Sequence, residues 1–215
     1  MKKILFIICS SIFFSVSAQV DQKARQILEQ ASKNMQSFQT ISITFTFTME
    51  NAKMNIHEKN SGLLMMKGEK YQVKLPDLGM QVFSDGKTVW NYMKEANQVT
   101  ISDAGEEGQG VIDPTTIFNV YQEGFTYKFV EDKSVNGKVI SFVELVPLDK
   151  TKEFSKMVAG IEKDKQLIFS LVTFGKDENQ YGIYVNDFKS NLPIADTEFV
   201  FNKAKFGDVE VVDFR

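Results

Sequence analysis

Residues 41–49, Ile-Ser-Ile-Thr-Phe-Thr-Phe-Thr-Met, constrain the fold more than any other stretch of the chain. Ile41, Ile43, Phe45, Phe47 and Met49 alternate with Ser42, Thr44, Thr46 and Thr48. A strand's two-residue period puts the five apolar groups on one face and the hydroxyls on the other. Such a strand belongs in a sheet with apolar material against one side.

Short runs of similar character follow at 62–67, 70–75, 80–84, 87–93, 98–102, 125–131, 138–146, 154–163, 167–174, 181–188, 198–201 and 209–212. Asp85-Gly86 and Asn136-Gly137 fall between neighbouring runs and signal hairpins, because both central residues of the favoured two-residue turn take positive φ. An antiparallel meander is the natural reading. Ahead of it, Val20, Ala24, Ile27, Leu28, Ala31, Met35 and Phe38 recur at the spacing of one helical face, which predicts an amphipathic helix. Asp113-Pro114, an N-cap followed by a proline suited to the first helical position, predicts a short second helix running to Tyr121. No repeat, linker or low-complexity tract divides the chain. The expected class is mainly β with helices (α+β), in one domain over residues 19–215.

The N-terminus reads as a secretory signal over residues 1–18: Lys2-Lys3, an apolar run from Ile4 to Phe14, then small residues ending at Ala18. That run is too short to span a bilayer, which takes about 20 apolar residues. Ile8 stands before Cys9 where an acylation site calls for a small residue, so the segment reads as cleavable rather than as a lipid anchor. Cys9 is the chain's one cysteine, so the mature protein carries no disulfide and its core must stabilise it unaided. The formal charge is −3, more negative once Lys2 and Lys3 leave, which gives no electrostatic reason to expect nucleic acid or an anionic membrane.

Chemistry-bearing patterns are missing. The lone histidine, His57, is followed by Glu58 but by no second histidine, so the zinc-protease spacing fails. No Gly-x-Ser-x-Gly occurs. Gly105, Gly108 and Gly110 enclose Glu106 and Glu107, which would repel a phosphate. The 28 acidic residues leave a carboxylate-based hydrolase open, with no specific signal for it. No catalytic residue, cofactor or metal is expected. What is abundant is apolar surface, including nineteen phenylalanines. The helices either fill the sheet's apolar side as plain core or leave a cavity against it, and periodicity does not separate the two. Flexible methionines such as Met35, Met49, Met65, Met66 and Met80 suit a surface that repacks around variable apolar ligands.

The stretch Ser84-Asp85-Gly86-Lys87-Thr88-Val89-Trp90-Asn91-Tyr92-Met93, ending in Asn97-Gln98-Val99, resembles the hairpin signature of the LolA family of periplasmic lipoprotein carriers. The order of the surroundings is similar too: signal, helix, Gly62-Leu63-Leu64-Met65-Met66-Lys67, mid-chain helix, and a closing Phe199-Val200-Phe201. The resemblance implies a strongly curved, incomplete antiparallel β-barrel covered by a lid of α-helices, with acyl chains held in between and no covalent chemistry. Its implied partners are acylated outer-membrane lipoproteins, an inner-membrane ATP-driven release complex and an outer-membrane receptor, the carrier itself being a periplasmic monomer. A LolA-like module or envelope sensor that binds another lipid or a glycolipid is the alternative. Trp90, Tyr92, Tyr71, Val73, Ile117 and Phe118 carry over as lipid-binding positions, and Phe45 and Phe47 join them from the alternation above. Two departures stand out. Met65 replaces a tryptophan, and Lys67-Gly68-Glu69 lacks the arginine that latches the lid, a role that would fall to another group such as Lys70.

Overall fold

The computed structural model describes residues 21–105, 114 and 124–215. The predicted signal segment, and Ile117 and Phe118 of the second predicted helix, lie outside the described residues. Of that helix only Pro114 is described, helical and buried.

Helix α1 (Gln22–Gln36) starts where Asp21 accepts the Ala24 N–H on Oδ1 at 3.0 Å, an N-cap that satisfies one orphan donor of the first turn. The other carboxylate oxygen accepts the Phe129 N–H at 2.7 Å, which ties the helix to a distant strand. The helix closes at Ser37, whose hydroxyl donates to the Asn34 carbonyl at 2.6 Å.

Among the described residues twelve strands follow in one sheet. They are β1 (Ile41–Asn51), β2 (Ile56–Lys67), β3 (Lys70–Leu75), β4 (Met80–Ser84), β5 (Thr88–Met93), β6 (Gln98–Asp103), β7 (Phe125–Val135), β8 (Lys138–Pro147), β9 (Phe154–Glu162), β10 (Leu167–Gly175), β11 (Gln180–Ser190) and β12 (Glu210–Asp213). Their spatial order is β12-β6-β5-β4-β3-β2-β1-β11-β10-β9-β8-β7. Two antiparallel meanders, β1–β6 and β7–β11, therefore join through the β1–β11 pair. The sheet is open and curved, with register shifts at Thr44/Phe45, Phe129/Glu131, Ile168/Ser170 and Phe174/Gly175 supplying local bends.

Three expectations need correction. Residues 198–201 are not a strand: Asp196–Phe199 forms a 3-10 turn with Phe199 fully buried, and β12 pairs with β6 in parallel rather than extending the meander. The β4–β5 hairpin exists, but Asp85 keeps negative φ. Its carboxylate accepts the N–H groups of Lys87 and Thr88 at 2.9 and 2.8 Å, and only Gly86 (φ 90°) turns left-handed. Asn136 (φ 51°) and Gly137 (φ 78°), by contrast, both take the positive φ their turn requires. Finally, the described residues contain one long α-helix where the resemblance implied a lid of several.

Candidate lipid-binding face

Register assigns every apolar side chain to a face. On β1, Ile41, Ile43, Phe45 and Phe47 stand opposite Met66, Leu64, Gly62 and Asn60 of β2. Leu64 and Met66 stand opposite Val73 and Tyr71 of β3, and Val73 opposite Val82 of β4. On the other flank, Phe45 and Phe47 meet Val185 and Ile183 of β11, and Ile183 meets Leu171 of β10. Residues directly across a pair share a face, so this is one continuous apolar surface, here called inner.

Helix α1 covers one end of that surface. Ala24 and Leu28 pack with Val143, Leu145, Ala159 and Leu171, against the half-buried Phe125, Tyr127 and Phe129. Met35, near the helix C-terminus, joins Ile41, Ile43, Phe45, Leu64, Met66, Tyr71, Leu75 and Val82 in a second cluster. Around that second cluster the apolar groups are only half buried: Phe47, Val73, Met80, Val89, Ile183 and Val185. Phe47 stacks on Tyr181 at 6.4 Å between ring centroids. The burial of β1 is thus graded, closed at Ile41, Ile43 and Phe45 and open at Phe47 and Met49.

Phe45, Phe47, Tyr71 and Val73 are brought together on the inner face. Trp90 and Tyr92 are not. Across β4–β5 they stand opposite Phe83 and Gln81, and Phe83 and Gln81 stand opposite Gln72 and Lys74, the alternate residues of β3. That parity puts them on the outer face. There Tyr92, Val99 and Val209 are buried with Trp90, Phe201 and Phe206 packed around them. The rings of Phe201 and Phe206 stack at 4.7 Å and both contact Phe83 and Tyr92. Met80, Val82, Val89, Ile183 and Val185 are among the inner-face residues that motif reading left out. Strand alternation was the available signal, but it gives no choice of side until the register is known.

After β11 the chain is clamped at the β2–β3 turn. The ammonium groups of Lys67 and Lys70 each donate to one oxygen of Asp196, both at 2.7 Å. These two charge-assisted bonds hold the Asp196 carboxyl down to about 2. Lys70, the group expected to latch the lid, thus engages the C-terminal segment. His57 lies exposed on β2, and among the described residues no group of three His, Cys, Asp or Glu side chains is placed to hold a metal ion. Among the same residues no helix is long and apolar enough to cross a membrane.

Comparison with known proteins gives the same direction. A family model described as "Outer membrane lipoprotein carrier protein LolA" matches residues 14–162. An "Outer-membrane lipoprotein carrier protein" from Proteus mirabilis (strain HI4320) is 35% identical over 111 residues, 46% of this chain and 49% of that one, so the chain spans about half the length of the curated relative it matches. Among solved structures, an uncharacterized conserved protein from Thermus thermophilus has the same fold, with a TM-score of 0.57 at 16% identity over 89% of this chain and 99% of that one. A LolA superfamily protein from Nitrosomonas europaea aligns more loosely, with a TM-score of 0.45 at 12% identity over 83% of this chain and 97% of that one.

Proposed function

The chain belongs to the LolA family of outer membrane lipoprotein carriers, and from that premise we propose that it is a periplasmic carrier that shelters the acyl chains of lipoproteins between the inner and outer membranes. The observation that carries this reading is the half-buried apolar band on the inner face, Phe47, Val73, Met80, Val89, Ile183 and Val185, resting on a closed layer that includes Phe45 and Tyr71. Helix α1 acts as a cover over one end of that band, and Ile117 and Phe118 are carried over from the resemblance as further lipid contacts. Trp90 and Tyr92 hold the C-terminal segment and do not touch cargo. An inner-membrane ATP-driven complex loads the carrier, and an outer-membrane receptor unloads it.

The magnitudes suit transport without covalent chemistry. Hiding each methylene from water is worth about 0.8 kcal/mol, so one chain of roughly 16 carbons gains on the order of 12 kcal/mol gross. Release then requires that opening of the cover and imperfect packing offset much of that gain.

The test is mass spectrometry of the protein isolated gently, after crosslinking, from its native envelope. A lipoprotein bound through its acylated end is the expected result, absent from a Phe47→Glu variant that remains folded. Empty protein overturns the reading, and a glycolipid in the extract replaces the cargo while keeping the face.

A further inference from the structure

We propose that the backbone edge of β2 over residues 56–60 takes up, as an added strand, the extended peptide that follows the acylated residue of a cargo lipoprotein. The proposal rests on the carrier reading above and adds to it a contact with polypeptide rather than with lipid.

Strand β2 outruns one of its neighbours. It pairs with β1 from Ile56, opposite Asn51, to Met66, opposite Ile41, but with β3 only from Leu63 to Lys67. The first N–H past β3 on that side belongs to Ser61, and it donates to the Asp77 carboxylate at 2.9 Å, on the 3-10 turn Pro76–Leu78 that follows β3. Backbone groups of a strand alternate sides every second residue. Lys59 and His57 therefore present their N–H and C=O to the same side as Ser61. Among the described residues no strand lies there and no bond outside the sheet reaches either backbone, and both residues are exposed. The Asp77 carboxylate supplies the acceptor that a neighbouring strand would have brought, and so closes the edge at one end. From His57 to Lys59 the edge stays open to an added strand.

The position of this edge selects the occupant. Asn60 stands opposite the half-buried Phe47, and Glu58 opposite the half-buried Met49, where the apolar band of the inner face is open. An acyl chain lying on that band brings its attached peptide past β2. Main-chain pairing makes no demand on side chains beyond the exclusion of proline, which suits a carrier whose cargoes differ in sequence. A second copy of the chain fits less well, because antiparallel self-pairing of so short a stretch crowds two Lys59 ammonium groups along one edge.

The test compares palmitate, a short peptide whose N-terminal cysteine is palmitoylated, and two forms of that lipopeptide N-methylated at alternate amides in one phase or the other. Only one side of an extended peptide can face β2, so one methylated phase is expected to bind about tenfold more weakly than the parent lipopeptide and the other equally well. The lipopeptide, but not palmitate, is expected to slow hydrogen exchange at the His57 and Lys59 amides. Lys59→Pro removes a free donor without breaking a β1–β2 bond. That variant is expected to bind palmitate like the parent while losing most of the difference between the phases. The methylated peptides, used on the unaltered protein, decide the matter even where the proline variant does not fold.

Equal binding of the two methylated phases, with palmitate bound, overturns the edge contact and leaves the acyl reading standing. Binding of neither palmitate nor lipopeptide overturns both. Protection of the His57 and Lys59 amides in the protein alone, rising with its concentration, gives the edge to a second copy and overturns the proposal.

Discussion

The ring of Phe45 lies over Gly62, its partner across the β1–β2 pair, and fills the volume that a Cβ on Gly62 would need. The glycine thus keeps the inner face low at its centre, where a side chain would raise the phenylalanine towards the space above. Gly62→Ala is expected to force the ring off its position, an overpacking effect of about 1–3 kcal/mol read from denaturant unfolding. A variant as stable as the parent would show that the sheet yields more easily than this contact implies.

On the proposed reading the two faces separate cargo from scaffold. Phe47→Glu is expected to abolish cargo binding while lowering stability by about 1–3 kcal/mol, since the side chain is half buried. Tyr92→Leu removes a ring that contacts Phe201 and Phe206, and is expected to cost a similar amount, about 1–3 kcal/mol, with cargo retained. Co-purified lipoprotein per mole of folded protein distinguishes them, and loss of cargo in both would contradict the assignment of faces.

Asp196 couples the C-terminal segment to acidity. Its pKa is lowered from 3.8 to about 2 by Lys67 and then Lys70. The stabilisation is full above the ordinary carboxylate value and is lost as pH falls through the folded one. Asp196→Asn is therefore expected to flatten the decline in stability between pH 3.8 and about 2 relative to the parent. At neutral pH it should speed hydrogen exchange across residues 196–206. Identical pH profiles would remove the clamp from the account.

Asp21 serves two elements at once, and Asp21→Ala should show it. Loss of the cap, together with the Phe129 bond, is expected to destabilise the protein by about 1–2 kcal/mol. Exchange of the Phe129 amide should quicken along with that of the first turn of α1. A change confined to the helix would mean that the edge strand finds water an equal partner.

Much of this was legible beforehand because it is local. The β1 alternation placed Phe45 and Phe47 on one side, and Asn136-Gly137 fixed its own turn. What stayed hidden was non-local. The residues 88–93 read as a strand, but whether Trp90 or Val89 faces inward depends on a register passed along from β1 through β2, β3 and β4. The larger rings turn outward because Phe201 and Phe206, more than a hundred residues later, return to cover them. Residues 198–201 misled for the same reason: their apolar character suits a strand, yet Phe199 buries itself from a 3-10 turn that starts at Asp196, which Lys67 and Lys70 hold. The motif resemblance pointed to the right family through Trp90 and Tyr92, which stand on the face opposite Phe45 and Phe47.

The sheet's two margins are finished differently, and each finish has the same effect. At β7 the Asp21 carboxylate occupies the backbone N–H of Phe129, where a visiting strand would otherwise begin to zip on. At the other border β12 lies along β6 for only four residues, too short a hem to template a neighbour. Stacking of copies into fibres is disfavoured at both borders, by one side chain and one scrap of backbone rather than by closing the sheet on itself.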